Sequence, residues 1–202
     1  MKILFLAFLF ATNLYAWELK VVKARGEVLF ANKPIKENDI LKTNGDLVVG
    51  EKSFVKFLAV GPGSEVVIGP KSSMRLELEK GTAETAFVLK DGACRWITKA
   101  KNLAEYLDGP KSGGMKKVLG TKTASLGLRG TDFLFVSNEL LGETEVVMFD
   151  GEVELSNNSN DSDSKILRKN YWGGVGGRFG EQVKVLPELP KNVIDHFKKS
   201  LE

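Results

Sequence analysis

Cysteine and histidine are nearly missing from this chain of 202 residues, where Cys94 and His196 each stand alone. A single thiol excludes an internal disulfide, so stability has to come from packing. One imidazole gives a histidine-based triad or a histidine-rich metal site almost no material. Long apolar runs are missing as well. The longest candidate opens the chain, and even when counted through to Ala16 it falls short of the about 20 residues a helix needs to cross a bilayer. Neither sign of charge dominates: 29 basic and 26 acidic residues leave a formal net charge of +3. No field of the kind that gathers nucleic acid is present.

The first sixteen residues carry Lys2 as their only charge, then the apolar run Ile3 to Phe10, then a polar break at Thr12 and Asn13 before Ala16. This is the layout of a secretory signal, cleaved between Ala16 and Trp17, although Leu14 is larger than the small residue preferred at its position. The alternative, an uncleaved anchor, is disfavoured by the shortness of the run. The expected mature chain is therefore periplasmic or secreted and has no integral membrane span. With Lys2 removed its net charge falls from +3 to +2.

From Val21 to Leu155 the chain repeatedly sets four to eight β-prone residues against a turn signal, as in GDLVVG, SFVKFLAV and SMRLELEKG. Regular short strands of this kind predict an all-β domain. Alternation places Val55, Phe57 and Ala59 on one face, and Met74, Leu76 and Leu78 opposite the charged Arg75, Glu77 and Glu79. Asn44-Gly45, Asp91-Gly92 and Asp150-Gly151 have the composition of tight hairpin turns, the last inside TEVVMFDGEVEL. Glycines 45, 63 and 81 are spaced eighteen apart, so a β-solenoid and a distorted β-sandwich both remain open.

Two segments break the β pattern. Residues 99–122 hold a candidate short helix, Lys101 to Leu107, and a loop with Lys111, Lys116 and Lys117. Residues 156–164, SNNSNDSDS, read as a flexible polar loop. The expected organisation is a signal at 1–16, a β domain at 17–155, that loop, and an extension at 165–202 containing a glycine-rich stretch, a last strand at Gln182 to Leu186 and a helix. Pro190 opens the helix, whose Val193, Ile194, Phe197 and Leu201 share one side.

The stretch Thr123 to Val136, TASLGLRGTDFLFV, joins two strand-like runs through Arg129, Gly130 and Thr131, with Phe133 close behind. Together with Gly26-Glu27-Val28, Gly45-Asp46-Leu47, Ser64 to Pro70 and Asp150-Gly151-Glu152-Val153, it resembles the FecR domain family over about Val21 to Leu155. The resemblance implies an exported, non-enzymatic all-β module used in signalling or joined to other cell-envelope domains. Well-known members also carry an inner-membrane helix and a cytosolic anti-sigma segment, for which this sequence offers no counterpart, so direct anti-sigma activity is not carried over.

Candidate chemistry is thin. Arg129 reads as a ligand-binding cation or as a structural residue paired with a carboxylate such as Asp132 or with carbonyls, and the cost of an unpaired buried charge favours the second reading. Cys94 is a nucleophile beside Arg95 or a small core residue; on a strand it points with Trp96 and away from Arg95, which favours the core. The tract with Asp161 and Asp163 lacks the glycine and distal glutamate of a calcium loop, and YWGGVGGRFG lacks the ending of a phosphate loop. Tyr171, Trp172, Arg178 and Phe197 are the candidate contacts for a ligand or partner. The expected partner is an envelope protein, with a cell-wall polysaccharide or peptidoglycan as the alternative. No cofactor, metal or nucleic acid is expected.

Overall fold

The computed structural model describes residues 17–60, 63–79, 85–98 and 117–199, apart from the side chains of Arg129 and Asp161. The signal segment, the candidate helix Lys101 to Leu107, Lys111, Lys116 and Leu201 lie outside the described residues. In order come β1 (Leu19–Arg25), β2 (Val28–Phe30), β3 (Lys33–Pro34), β4 (Ile40–Leu41), β5 (Gly45–Val49), β6 (Phe54–Ala59), β7 (Ser64–Ile68) and β8 (Ser72–Leu76). They are followed by β9 (Phe87–Ile97), β10 (Lys117–Gly120), β11 (Ala124–Asn138), β12 (Glu143–Asn157), β13 (Asn160–Arg168), β14 (Trp172–Gly176) and β15 (Gly180–Leu186). A helix, α1 (Lys191–Lys199), comes last among the described residues. The fold is all-β, as the repeated short strands predict.

Three long strands organise the sheet. The second half of β9 pairs with β7 and β11, and the first half of β12 pairs with β14, which pairs in turn with β15. The other halves pair differently: the start of β9 lies between β8 and β10, and the end of β12 lies between β11 and β13. Each long strand thus belongs to two half-sheets, and the whole curls into a barrel-like body around one core. Trp96, Phe57, Phe87, Phe133 and Phe135 are fully buried in it. Trp17 closes one end with its ring edge-on to Phe87 at 5.0 Å and to Trp96 at 6.3 Å. Among the described strands pairing is antiparallel except between β9 and β10, and all of them belong to one curled, barrel-like sheet. A solenoid would stack its rungs in parallel.

The curl explains why three expected hairpins are absent. Asp91-Gly92 lies inside β9 and Asp150-Gly151 inside β12, while Gly45 simply begins β5. Gly130 and Gly151 take positive φ where β11 and β12 bend together, and register shifts leave Gly130 and Phe149 without a directly opposed residue. These are β-bulges, which add twist and bend to a strand. A Cβ on Gly151 would stand 2.0 Å from the Gly130 carbonyl oxygen, so β12 could not hold this bend with a side chain at that position. The Arg129-Gly130-Thr131 segment is therefore a bend within one strand and does not link two. One two-residue hairpin that does form joins β2 to β3 through Ala31 and Asn32, both at positive φ.

The polar tract 156–164 is a second departure from expectation. Asn158 and Ser159 turn β12 into β13, and Asn157 and Asn160 are paired across the hairpin. Ser156 and Asn157 are buried. No break separates the extension from the β domain, because β13 and β14 both pair with β12. Polar side chains close the seam between β13 and β15: the Asn157 carboxamide donates to the Glu181 carbonyl at 2.8 Å, and the Asp163 carboxylate accepts from the Val183 N–H at 2.9 Å. Two hydrogen bonds hold its carboxyl below the usual carboxylate range, the first from Asn157 and the second from Val183.

Candidate functional site

Residues directly opposed across neighbouring strands share a face. Arg95, Leu134, Val147 and Trp172 form such a row across β9, β11, β12 and β14 on the outside of the sheet. With Phe149 they make an apolar surface separate from the main core, and α1 lies on it through Ile194 and Phe197, with Leu189 joining from the connecting segment. The helix starts where Pro190 and the 3.6-residue spacing place it. Val193 is only half-buried.

Arg95 is nearly enclosed under the helix. Its Nε and Nη2 donate to Asp132 Oδ1 and Oδ2 at 3.0 and 3.1 Å, and its Nη1 donates to the Lys198 carbonyl at 3.1 Å. The guanidinium carbon is 5.4 Å from the Phe149 ring centroid, and Lys198 Nζ is 5.5 Å from the same point. Side-chain exposure is 9% for Arg95 and 20% for Asp132. A planar fork matched by a carboxylate and a helix carbonyl is what makes a charge tolerable at that depth. The sequence reading pairs Arg129 with a carboxylate such as Asp132 or with carbonyls; its side chain lies outside the described residues, and Asp132 is held by Arg95 from the paired strand β9. The backbone of Arg129 faces Glu152 at the bulge.

The glycine-rich stretch forms the β14–β15 hairpin around a 3-10 turn, Gly177–Phe179. Arg178 Nε lies 3.3 Å from Glu143 Oε1, its Nη2 meets Glu145 Oε2, and its backbone N–H donates to Glu143 Oε2 at 2.8 Å. Its guanidinium carbon is 5.7 Å from the Trp172 centroid and 5.2 Å from that of Phe179. Phe179 packs over Gly174, where a Cβ would come within 2.5 Å of the ring. Burial lifts the Glu145 carboxyl above its usual range, Arg178 opposes that shift and Glu143 adds to it. The turn thus faces two carboxylates of the chain itself, Glu143 and Glu145.

Of the four expected contact residues, Trp172 meets Arg178 on one side and shares the α1 cluster with Phe197, whereas Tyr171 is exposed. Phe133 and Thr131 are buried in β11. Cys94 is fully buried, and burial raises its thiol well above the ordinary value. Among the described residues no group of three or more metal-ligating side chains comes together, and no helix is long and apolar enough to cross a membrane.

Sequence reading missed the β11–β12 turn. Leu140 is 94% exposed and Leu141 59% exposed at its tip. The turn is firmly held: the Leu141 N–H donates to Asn138 Oδ1 at 3.1 Å, the Gly142 N–H to the Glu139 carbonyl at 3.2 Å, and the Glu139 N–H to Asp91 Oδ1 at 3.3 Å. Behind it, the Thr144 hydroxyl is 2.6 Å from that of Thr121 and 2.7 Å from that of Thr123. Two adjacent leucines in a polar turn are the only trace of this feature in the sequence.

The fold and this outer face define a curled all-β domain with a helix laid on one side. Its fold is shared with two crystal structures of a candidate anti-sigma factor from Parabacteroides distasonis, at 1.65 and 2.50 Å resolution. The first aligns with a TM-score of 0.54 at 15% identity over 75% of this chain and 64% of that one. The second gives 0.53 and 16% over 73% and 62%. The chain therefore spans less than two thirds of either structure's length. No family model and no curated protein matches the sequence.

Proposed function

We propose that the chain is a non-enzymatic, FecR-like module of the cell envelope. Exported and trimmed near Ala16-Trp17, it binds another envelope protein in signalling or envelope organisation. The observation that carries this reading is the pair Leu140 and Leu141, held in an ordered turn and turned to solvent. Burying a leucine is worth about 1.5–3 kcal/mol, so a rigid tip that leaves two in water suits a site that a partner covers. Apolar anchors entering a pocket are the usual centre of such contacts. The FecR-like motif residues and the fold shared with a candidate anti-sigma factor support a signalling role. A carbohydrate-binding role gains nothing from Trp172, which is half-buried against Phe179, Arg178 and the helix cluster.

The test is photo-crosslinking in living cells with the reactive group at position 140. One dominant envelope protein is expected, its yield falling at least tenfold when Leu141 is changed to Ser. Wall fragments in place of a protein, or a protein whose yield ignores the Leu141→Ser change, would overturn the reading.

A further inference from the structure

The leucine tip overhangs the strand ladder that supports it. On the side of the tip, the pairing of β14 with β12 stops at Thr144, so Gly142 and Glu143, the root of the turn, lie beyond that ladder. Their cover is the 3-10 turn that follows β14. A Cβ on Gly176 would stand 2.9 Å from the Gly142 carbonyl carbon, and one on Gly177 would stand 2.7 Å from Glu143 Cβ, so the turn lies directly against the root. Gly176 and Gly177 take φ of 78° and 46°, a region open to glycine without steric cost. The chain thereby bends back over β12 and brings Arg178 to Glu143 and Glu145. Those two carboxylates lie on the outer face, because Thr144 between them is fully buried and successive residues on a strand alternate. Their side chains are only 16% and 13% exposed.

We infer that Arg178 positions the leucine tip: one guanidinium ties the β14–β15 hairpin to the root of the β11–β12 turn and so fixes where Leu140 and Leu141 stand. Its Nε lies 3.3 Å from Glu143 Oε1 and its Nη2 meets Glu145, so both outward side chains at the start of β12 share one cation. The backbone N–H of the same residue donates to Glu143 Oε2 at 2.8 Å. A planar fork on charged acceptors sets direction as well as position, and the rings of Phe179 and Trp172 flank it at 5.2 and 5.7 Å from the guanidinium carbon. On the inner face the Thr144 hydroxyl, hydrogen-bonded with those of Thr121 and Thr123, fixes the same strand start. The root is thus gripped from both faces, with Arg178 as the outer grip. The sequence marks Arg178 as a contact residue; in this arrangement it serves the contact through the tip. The inference rests on the proposed function for what the tip binds, whereas the placement of the tip is measured without a partner.

Hydrogen exchange on the purified full-length chain, read residue by residue by NMR, tests the placement. The Leu141 and Gly142 amides are hydrogen-bonded within the turn, so their exchange reports its opening. Arg178→Met, which keeps the stem and removes the fork, should speed exchange at both amides at least tenfold. Phe133 and Phe135, buried in the core, should exchange as in the parent chain. Arg178→Lys, which keeps the charge without the fork, should fall between the two. Tip exchange that ignores Arg178→Met overturns the inference, as does an equal acceleration at Phe133 and Phe135, which would make Arg178 a support of the whole fold. If Arg178→Met does not fold, Gly177→Ala decides. Its methyl group drives Glu143 off the turn with Arg178 intact, so it must speed exchange at Leu141 and Gly142 by a similar factor, and unchanged exchange overturns the inference. In cells, Arg178→Met should lower crosslinking from position 140 at least threefold; an undiminished yield overturns the link from placement to binding. If the parent chain captures no protein from position 140, the proposed function fails, and the exchange result alone then decides the placement.

Discussion

Replacing Arg95 by Met removes the cation from beneath α1 and leaves the Asp132 carboxylate with 20% side-chain exposure and no fork opposite it. Breaking one side of a buried pair costs about 3–5 kcal/mol, and the hydrogen bond to the Lys198 carbonyl adds about 1 kcal/mol. Partial exposure of Asp132 reduces the first figure, so a loss of about 2–4 kcal/mol is expected. Asp132→Leu should cost a similar amount, because it strands the arginine. The double variant should lose less than the two single losses added together, since no uncompensated charge remains and both stems can pack. Urea unfolding followed by tryptophan fluorescence gives the four free energies, and their cycle isolates the pair. A coupling below about 0.5 kcal/mol is within the range of distant, independent sites and would refute the claim that the pair holds the helix side of the sheet.

Gly151→Ala puts a methyl group 2.0 Å from the Gly130 carbonyl at a positive φ. It should lower stability by about 2–4 kcal/mol, because strain at a special backbone angle and a steric shift add; a thermal midpoint equal to that of the parent chain would show that the bend can relax. Asp163→Asn should lower the thermal midpoint at pH 7, where the carboxylate accepts from Asn157 and Val183. The folded-state carboxyl titrates below its ordinary 3.8, so its stabilisation is fully present above that value and is lost as pH falls through the folded-state value. The gap between the two proteins should close in that acid window, and a gap independent of pH would count against the seam as drawn.

Alternation along strands was legible in the sequence wherever one face of a strand is wet. Met74, Leu76 and Leu78 are buried, and Val55, Phe57 and Ala59 point inward, as their spacing predicts. Alternation also separated Arg95 from Cys94 and Trp96. What it could not supply is the cover: α1 lies roughly a hundred residues further along the chain, and only the tertiary fold brings it over that face. The Asp-Gly dipeptides failed for another reason. A glycine at positive φ serves a hairpin turn and a β-bulge equally well, and the choice belongs to neighbouring strands. β12 cannot turn back at Gly151 while β11 runs beside it on both sides of that residue. The polar tract 156–164 was misjudged because a strand was expected to need apolar residues. β13 instead gains its place from backbone pairing with β12 and from the Asp163 side chain.

These observations divide the molecule into a part that holds the fold and a part that can vary. Inward-facing residues of β9, β11 and β12 form the core, whereas outward-facing residues of the same strands carry the helix, the Arg95–Asp132 pair and the Arg178 cluster. Because successive residues on a strand point to opposite faces, a change at Leu134 or Trp172 reaches the outer face without opening a cavity around Phe133 or Phe135. The leucine tip is likewise placed by β11 and β12 yet lies beyond their core residues. The leucine tip can thus be altered with limited cost to the fold, whereas the face under α1 bears on stability through the Arg95–Asp132 pair. A sharp condition follows: substitution of Leu140, which is 94% exposed, should leave the unfolding of the core nearly unchanged.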